Sequence, residues 1–273
     1  MNEKLEKLSV AGTPGRLARD WKKYREYVFY AARAELRAET ANSYLNWAWW
    51  VLEPFCMMLV YTVVFGVIFR SGEPYFAVFV MTGITLWRFF AMTVQNSASL
   101  VRNHRSIVCH IYIPKQMLLL ILMFRNAFKA ALAFLIVFVM MAVFRVPLHP
   151  TMFLLVPGVI LLFCVTYFVS CIVMHLGVRI EDMNYVSNVV LTILMFFTGT
   201  FWSIENRLPA PWGLIVSRVN PVAYAISICR NGLLYGTNSL HWTYFIWLGG
   251  ALLLSLIGSW LVYRHENTYV KVI

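Results

Sequence analysis

Six runs of apolar residues, at 47–69, 75–92, 117–144, 152–177, 185–202 and 244–263, constrain this chain more than any other feature of it. Most approach or exceed the roughly 20 residues that cross about 30 Å of hydrocarbon. A bilayer core offers no water to a backbone amide, so a spanning segment must bond to itself, and runs of this kind do so as helices. The second run is short and extends through Thr93 to Asn96 to complete a crossing. The third, helical from Pro114, measures about 46 Å at 1.5 Å per residue, so its start projects beyond the membrane. Arg125 and Lys129 then lie near the interface on one face, with stems able to snorkel. Composition agrees: 60% of the residues are hydrophobic and 13% charged, against about 25% charged in a soluble domain. The expected fold is an all-α integral membrane protein with about six transmembrane helices, filling residues 1–273 as one domain.

The 23 Lys and Arg against 12 Asp and Glu are placed as the positive-inside rule requires, which argues against nucleic acid as a partner. One side collects the N-terminal bases, Arg102, His104, Arg105, Lys115, Arg179, Arg264 and Lys271; the other holds Arg70 with Glu73, Arg145 and the 205–230 stretch. An even number of spans returns both termini to the basic side, which is predicted to be cytoplasmic. Residues 20–41 are too polar to span, yet Trp21, Tyr24, Val28 and Ala31 recur at spacings of three and four. They predict an amphipathic helix lying on that surface. The first 25 residues lack the early apolar core of a cleavable signal peptide. The five cysteines form no CxxC, and His104 and His110 flank Cys109 without a fourth ligand, so no metal site is expected.

Residues 204–235 are apolar but broken by Glu205, Arg207, Pro209, Pro211, Arg218, Asn220, Pro221 and Arg230. Asn220 followed by Pro221 is a helix start, with Asn at the N-cap and Pro at the first helical position. Two short helices, near 211–218 and 221–235, are expected to dip into the outer leaflet and return; an amphipathic loop on the outer surface is the alternative.

Motifs in this order resemble a family. Tyr44-Leu45-Asn46-Trp47, with Pro54 beyond, resembles the opening of the first span in ABC exporters of cell-surface polysaccharides, with Asn46 where that family usually has Gly. Arg102–Ile107 with Tyr112-Ile113-Pro114-Lys115 resembles its cytoplasmic loop, and Phe197–Ser203 its outer turn. Asn220-Pro221 with Tyr224, then Arg230 and Leu234-Tyr235-Gly236, resembles its closing stretch. The resemblance implies a permease exporting undecaprenyl-linked polymer, with wall teichoic acid ahead of O-antigen and capsule. It also implies a homodimer in the membrane with two copies of a separate ATPase subunit, which binds ATP and Mg. This chain has no G-x-x-x-x-G-K-[ST] loop, so no cofactor of its own and no enzymatic activity by itself are expected. An exporter of drugs or small lipids shares the topology. A membrane-bound transferase acting on lipid-linked sugars would want clustered acids or histidines at one interface, and here they are scattered.

A glycan path needs rings to stack on sugar faces and hydroxyls or amides to bond them. Polar and aromatic residues at helical spacing supply candidates: Phe55, Thr62 and Phe69 on the first span; Thr82, Thr85, Arg88, Phe89 and Asn96 on the second; Asn188, Thr192 and Trp202 on the fifth. Ordinary helix packing produces such stripes equally well. Arg88, ionisable within a span, is a candidate pyrophosphate contact or a partner for Glu53 or Glu205. Tyr224 is expected to face the conduit, and Arg230 to anchor its helix to phosphate or Glu205. Arg102, Arg105, Lys115, Arg179, Glu181 and Asp182 are candidates for docking the ATPase.

Overall fold

A computed structural model describes residues 12–41, 46–70, 72–207, 209 and 211–272. Tyr44 and Leu45, and the side chains of Asn46, Glu205 and Lys271, lie outside the described residues.

Helix α1, Thr13–Thr40, opens with a proline at its first turn and buries Val28 and Ala32. Trp21 and Phe29 meet Phe124 of α6, with ring centres 5.9 and 4.9 Å away. The helix begins seven residues before the stretch where its periodicity is first legible. Helix α2, Trp49–Tyr61, carries Pro54 inside it and continues through Thr62–Ile68 as a wider, π-type turn. Helix α3, Phe76–Ser97, is the hub: 78% of its apolar window is buried, against 11% for α2. An elbow of α4, Leu100–Asn103, and α5, Arg105–His110, leads to α6, Lys115–Val143. A short 3-10 turn at Pro150–Leu154 runs into α7, Leu155–Arg179. There Gly177 lets α7 cross against α3; a Cβ at that position would lie 1.9 Å from the Ala98 carbonyl oxygen.

The fifth apolar run departs from expectation. Helix α8 covers only Met183–Phe197, 15 residues, or about 22 Å, and Trp202 lies beyond it. The chain breaks because Gly199 takes a left-handed conformation, φ +65°, which glycine adopts without a Cβ clash. The helix and its turn still match the depth of α3: Gln95 Nε2 donates to the Asn184 carbonyl at 2.8 Å near one end. At the other end the carbonyls of Gly199 and Phe79 share one guanidinium.

Short α9, Ile204–Arg207, precedes α10, Trp212–Val219, and α11, Pro221–Arg230, which winds on through Asn231–Tyr235. A bend of 104° separates α10 from α11 with its extension. Asn220 caps α11 by accepting from the Val222 and Ala223 amides at 3.0 and 3.3 Å. Helix α12, Trp242–Val272, closes the fold against α7. The protein is an all-α integral membrane protein. Among the described residues five helices are long and apolar enough to span, and the bent α10–α11 pair makes a sixth if it counts as one.

Candidate functional site

Near the end of the bundle where α1 lies, α2, α3 and α6 part around an open-sided cleft, with Ala130 and Ala133 leaving room on the α6 side. It gathers Thr85, Arg88 and Phe89 from the expected path with Trp50, Glu53, Asn126 and Lys129. Arg88 meets Glu53 through two N–O contacts of 2.8 Å each, the fork geometry that makes guanidinium–carboxylate pairs strong.

The α1 surface is tied to this cleft by matched charges. Glu35 and Glu39, one helical turn apart, face Arg125 and Lys129, also one turn apart on α6. Arg125 reaches Glu35 at 2.8 Å and Glu39 at 3.3 Å, and Lys129 pairs with Glu39. Arg125 and Lys129 thus pair across helices, where the sequence suggested only snorkelling stems. Their partners were not singled out, although an i,i+4 acid pair and an i,i+4 basic pair on successive amphipathic faces are a readable signal. His104 of the elbow joins the ladder. Its Nε2 lies 3.1 Å from Glu35 Oε1 and its Nδ1 2.9 Å from the Leu100 carbonyl oxygen. Both partners are acceptors, an arrangement that favours the doubly protonated ring. The hydrogen bond to Glu35 holds the His104 pKa above its ordinary value against the opposing effect of burial. Burial pushes the Glu35 carboxyl up, but His104 and Arg125 together bring it below its ordinary range.

A second polar node binds the elbow to both chain ends. Arg16 of α1 donates to Glu266 of α12 and to the Tyr112 hydroxyl, each at 3.0 Å, and Tyr112 donates to the same Glu266 oxygen at 3.2 Å. Tyr263 adds a hydrogen bond of 2.6 Å to Asp20. Of the expected docking residues, Arg105, Arg179, Glu181 and Asp182 are exposed, and Arg102 donates to the Glu181 carbonyl at 3.3 Å, joining elbow and α7–α8 loop. Lys115 departs from expectation. It is 2% exposed and donates inward to the Ile113 carbonyl, because Pro114 turns the chain into α6 and carries the ammonium under the bundle.

The opposite end is organised by Arg230, 5% exposed. Nε donates to the Phe79 carbonyl at 3.1 Å, Nη1 to Gly199 at 2.7 Å and Nη2 to Thr200 at 2.6 Å. Its guanidinium carbon lies 3.6 Å from the centre of the Phe79 ring. Arg230 therefore anchors α11 to main-chain oxygens of α3 and the α8 turn. Tyr224 also departs from expectation: it is 3% exposed, and its hydroxyl donates to the Ser239 carbonyl while accepting from the His241 amide and Thr243. It fastens α11 to the start of α12 because residue 224 falls on the helix face turned toward the core.

The remaining path candidates scatter. Thr82, like Thr85 at the cleft wall, is buried with its hydroxyl bonded to a carbonyl one turn back, at Val78 for Thr82 and Met81 for Thr85, as packing threonines do. Phe55 packs into the core at the Arg230 end, and Trp202 lines a small pocket beside Arg230. Thr62 and Asn96 are half-buried. Phe69 is exposed, as are Asn188 and Thr192 on a broad open face of α8 shared with Tyr185, Val189 and Phe196.

Comparison with known proteins gives consistent results. A profile of the ABC-2 type transporter family matches residues 27–234. An O-antigen export system permease protein of Myxococcus xanthus is 27% identical over 209 residues, covering 76% of this chain and 80% of the relative. Another O-antigen export system permease protein, from Klebsiella pneumoniae, is 24% identical over 245 residues, covering 88% and 92%.

Proposed function

Because the chain belongs to the ABC-2 type transporter family, we propose that it is the membrane subunit through which a bacterial ABC exporter moves a lipid-linked surface polysaccharide out of the cell. Family membership carries a partnership with an ABC ATPase subunit. The observation that carries the substrate class is the alignment, over 76% and 88% of this chain, with permeases named for O-antigen export. ATP and Mg would be bound by the ATPase, since this chain contains no phosphate-binding loop.

The basic residues orient the α1 end and both termini toward the cytoplasm. The elbow and the α7–α8 loop, with Arg102, Arg105, Arg179, Glu181 and Asp182, then face the ATPase. A second copy of this chain would cover the open α8 face, where Asn188 and Thr192 would line a polar path between protomers. The bent α10–α11 pair would sit at the outer exit. Impermeant thiol reagents reaching Ser106→Cys from outside intact cells would reverse this orientation.

Deleting the gene should leave polymer on its polyprenyl carrier inside the cell and strip it from the surface, with the chain restored in trans reversing both. Unchanged surface polymer in the deletion strain would remove the reading. The names of the relatives weigh toward a polysaccharide of the O-antigen kind. Wall teichoic acid, the polyol-phosphate polymer that the resemblance put first, is distinguished in the same assay by the glycerol or ribitol phosphate content of the retained material.

A further inference from the structure

The apolar face of α1 is already occupied by protein. Val28 and Ala32 are buried, Trp21 stacks on Phe124, and Leu17, Tyr24 and Ala31 pack against the same core. Most of the acids of α1 are spent on that side too. Glu35 and Glu39 pair with His104, Arg125 and Lys129, and Asp20 accepts from Tyr263. An amphipathic helix ordinarily lies on a membrane by burying its apolar face in it. Here the bundle has taken that face, so α1 can meet its surroundings only with the opposite one.

That opposite face is basic. Arg19, Lys22, Lys23, Arg33 and Arg37 are exposed, and 3.6 residues per turn gathers them on one face, about 100° wide, pointing away from Val28. Arg25, also exposed, flanks them, and Glu26 is the one acid among them. Among the described residues the ion pairs of α1 are made by Arg16, Asp20, Glu35 and Glu39, and by none of these outer bases. From Arg19 to Arg37 the stripe is about 27 Å long at 1.5 Å per residue, enough to touch several lipid headgroups at once. Phe29 and Tyr30, 53% and 76% exposed, are interleaved with the bases.

The level of the stripe selects its partner. About 20 residues cross the hydrocarbon, so α6, which ends at Val143, enters it near Phe124. Helix α1 packs at that height, with Trp21 on Phe124 and Glu39 meeting Lys129 further along α6. Trp47 and Trp49, 60% and 48% exposed at the start of α2, mark the same layer, where tryptophans meet headgroups. Bases mixed with exposed rings suit it, because rings rest on acyl chains while long basic side chains reach phosphate. We propose that the outer face of α1 is a docking surface for anionic phospholipid headgroups, which hold the helix at the membrane by its charged face. Each Lys or Arg adds to such a grip, and salt weakens the whole. None of this depends on which polymer is transported.

The test uses the full chain with its ATPase in nanodiscs, with a bimane fluorophore on Tyr30→Cys and the exposed Cys56 and Cys109 replaced by serine. The probes are phosphatidylglycerol and phosphatidylcholine brominated on their acyl chains, each present at the same fraction of the bilayer in turn. At low salt the anionic lipid should quench the fluorophore more strongly by roughly threefold to fivefold, as a local excess drawn by several cations requires. Raising the salt should bring the two lipids together, a measurement that needs no change in the stripe itself. Lys22→Gln, Arg33→Gln and Arg37→Gln combined should do the same at low salt, whereas Arg70→Gln with Arg145→Gln, exposed bases at the other end, should leave the preference intact. Equal quenching by the two lipids at low salt, or a preference that ignores both salt and the triple substitution, overturns the proposal. Quenching that appears only when the ATPase is stripped away also overturns it and gives this face to the ATPase.

Discussion

The two ends of this bundle are held by opposite means. At the α1 end, Glu35, Glu39, His104, Arg125 and Lys129 form a ladder of charged pairs between a surface helix and the bundle. At the other end, Arg230 spends its donors on three main-chain oxygens. Partly exposed charged pairs are individually weak and exchange with water and salt. A buried guanidinium on carbonyl oxygens has no competitor, and removing it strands the acceptors of the α8 turn, which lie outside any helix. One end is built to shift and the other to stay.

The largest effect should come from the rigid end. Arg230→Ala leaves the Gly199 and Thr200 carbonyls without this donor and should cost at least about 2 kcal/mol, read as lost monodisperse protein and lower unfolding temperature. Arg230→Lys should not rescue, because one ammonium cannot span oxygens drawn from α3 and the α8 turn. Gly83→Ala should behave similarly, since its Cβ would lie 1.8 Å from Arg230 Nη2 and 2.7 Å from the Thr200 oxygen. A wild-type unfolding profile for Arg230→Ala would break the contrast at its strongest point.

Smaller losses are expected at Tyr224. Tyr224→Phe keeps the buried ring and removes a hydroxyl that one donated and two accepted bonds hold, costing about 1 kcal/mol. Thermal unfolding should register it while polymer export by the folded fraction continues. A Tyr224→Phe protein of unchanged stability but without export would move Tyr224 from the clamp to the path.

The smallest effect belongs to the adjustable end and depends on pH. His104 has a raised folded-state pKa, so its contribution is complete below the ordinary 6.5 and fades as pH climbs through the raised value. Glu35 has a lowered one, so its contribution is complete above the ordinary 4.5 and fades as pH drops through the lowered value. Docking of α1 is therefore firmest between about pH 4.5 and 6.5 and loosens on the alkaline side, by up to about 1 kcal/mol. Spin-label distances between α1 and α6 should broaden above neutrality, and His104→Gln should flatten that response. Distances in the wild type that ignore pH from 6 to 9 would assign α1 to the rigid class.

Much of the architecture was written locally. Hydropathy marked the long spans because bilayer thickness imposes one length on every crossing helix. Asn220-Pro221 announced the start of α11 because a cap is chemistry within three residues. The stop of α8 was less legible from hydropathy, since the apolar run continues past Phe197; the resemblance placed a turn at residues 197–203, and the backbone at Gly199 shows where the helix gives out.

The side chains of the site were legible as types and not as roles. Arg88 could be read as ionisable within a span with Glu53 or Glu205 for a partner; only α2 beside α3 decided for Glu53, 35 residues earlier. Tyr224, read as a conduit residue, and Lys115, read as a docking residue, are both buried, because the neighbours packed against α11 and the first turn of α6 decide which way each side chain faces. Asn126 is one amide in an apolar run, and that its buried oxygen goes unsatisfied among the described residues follows only from Thr93 having spent its proton on Phe89. Arg16 and Glu266 are 250 residues apart and meet at 3.0 Å. The sequence by itself determined a multi-helix membrane protein and where its helices run, since hydropathy and capping act over neighbouring residues. Which charges pair, which polar atoms are left wanting and which faces stay open were decided by the tertiary structure, because hydrogen bonds and ion pairs depend on distances that only packing sets.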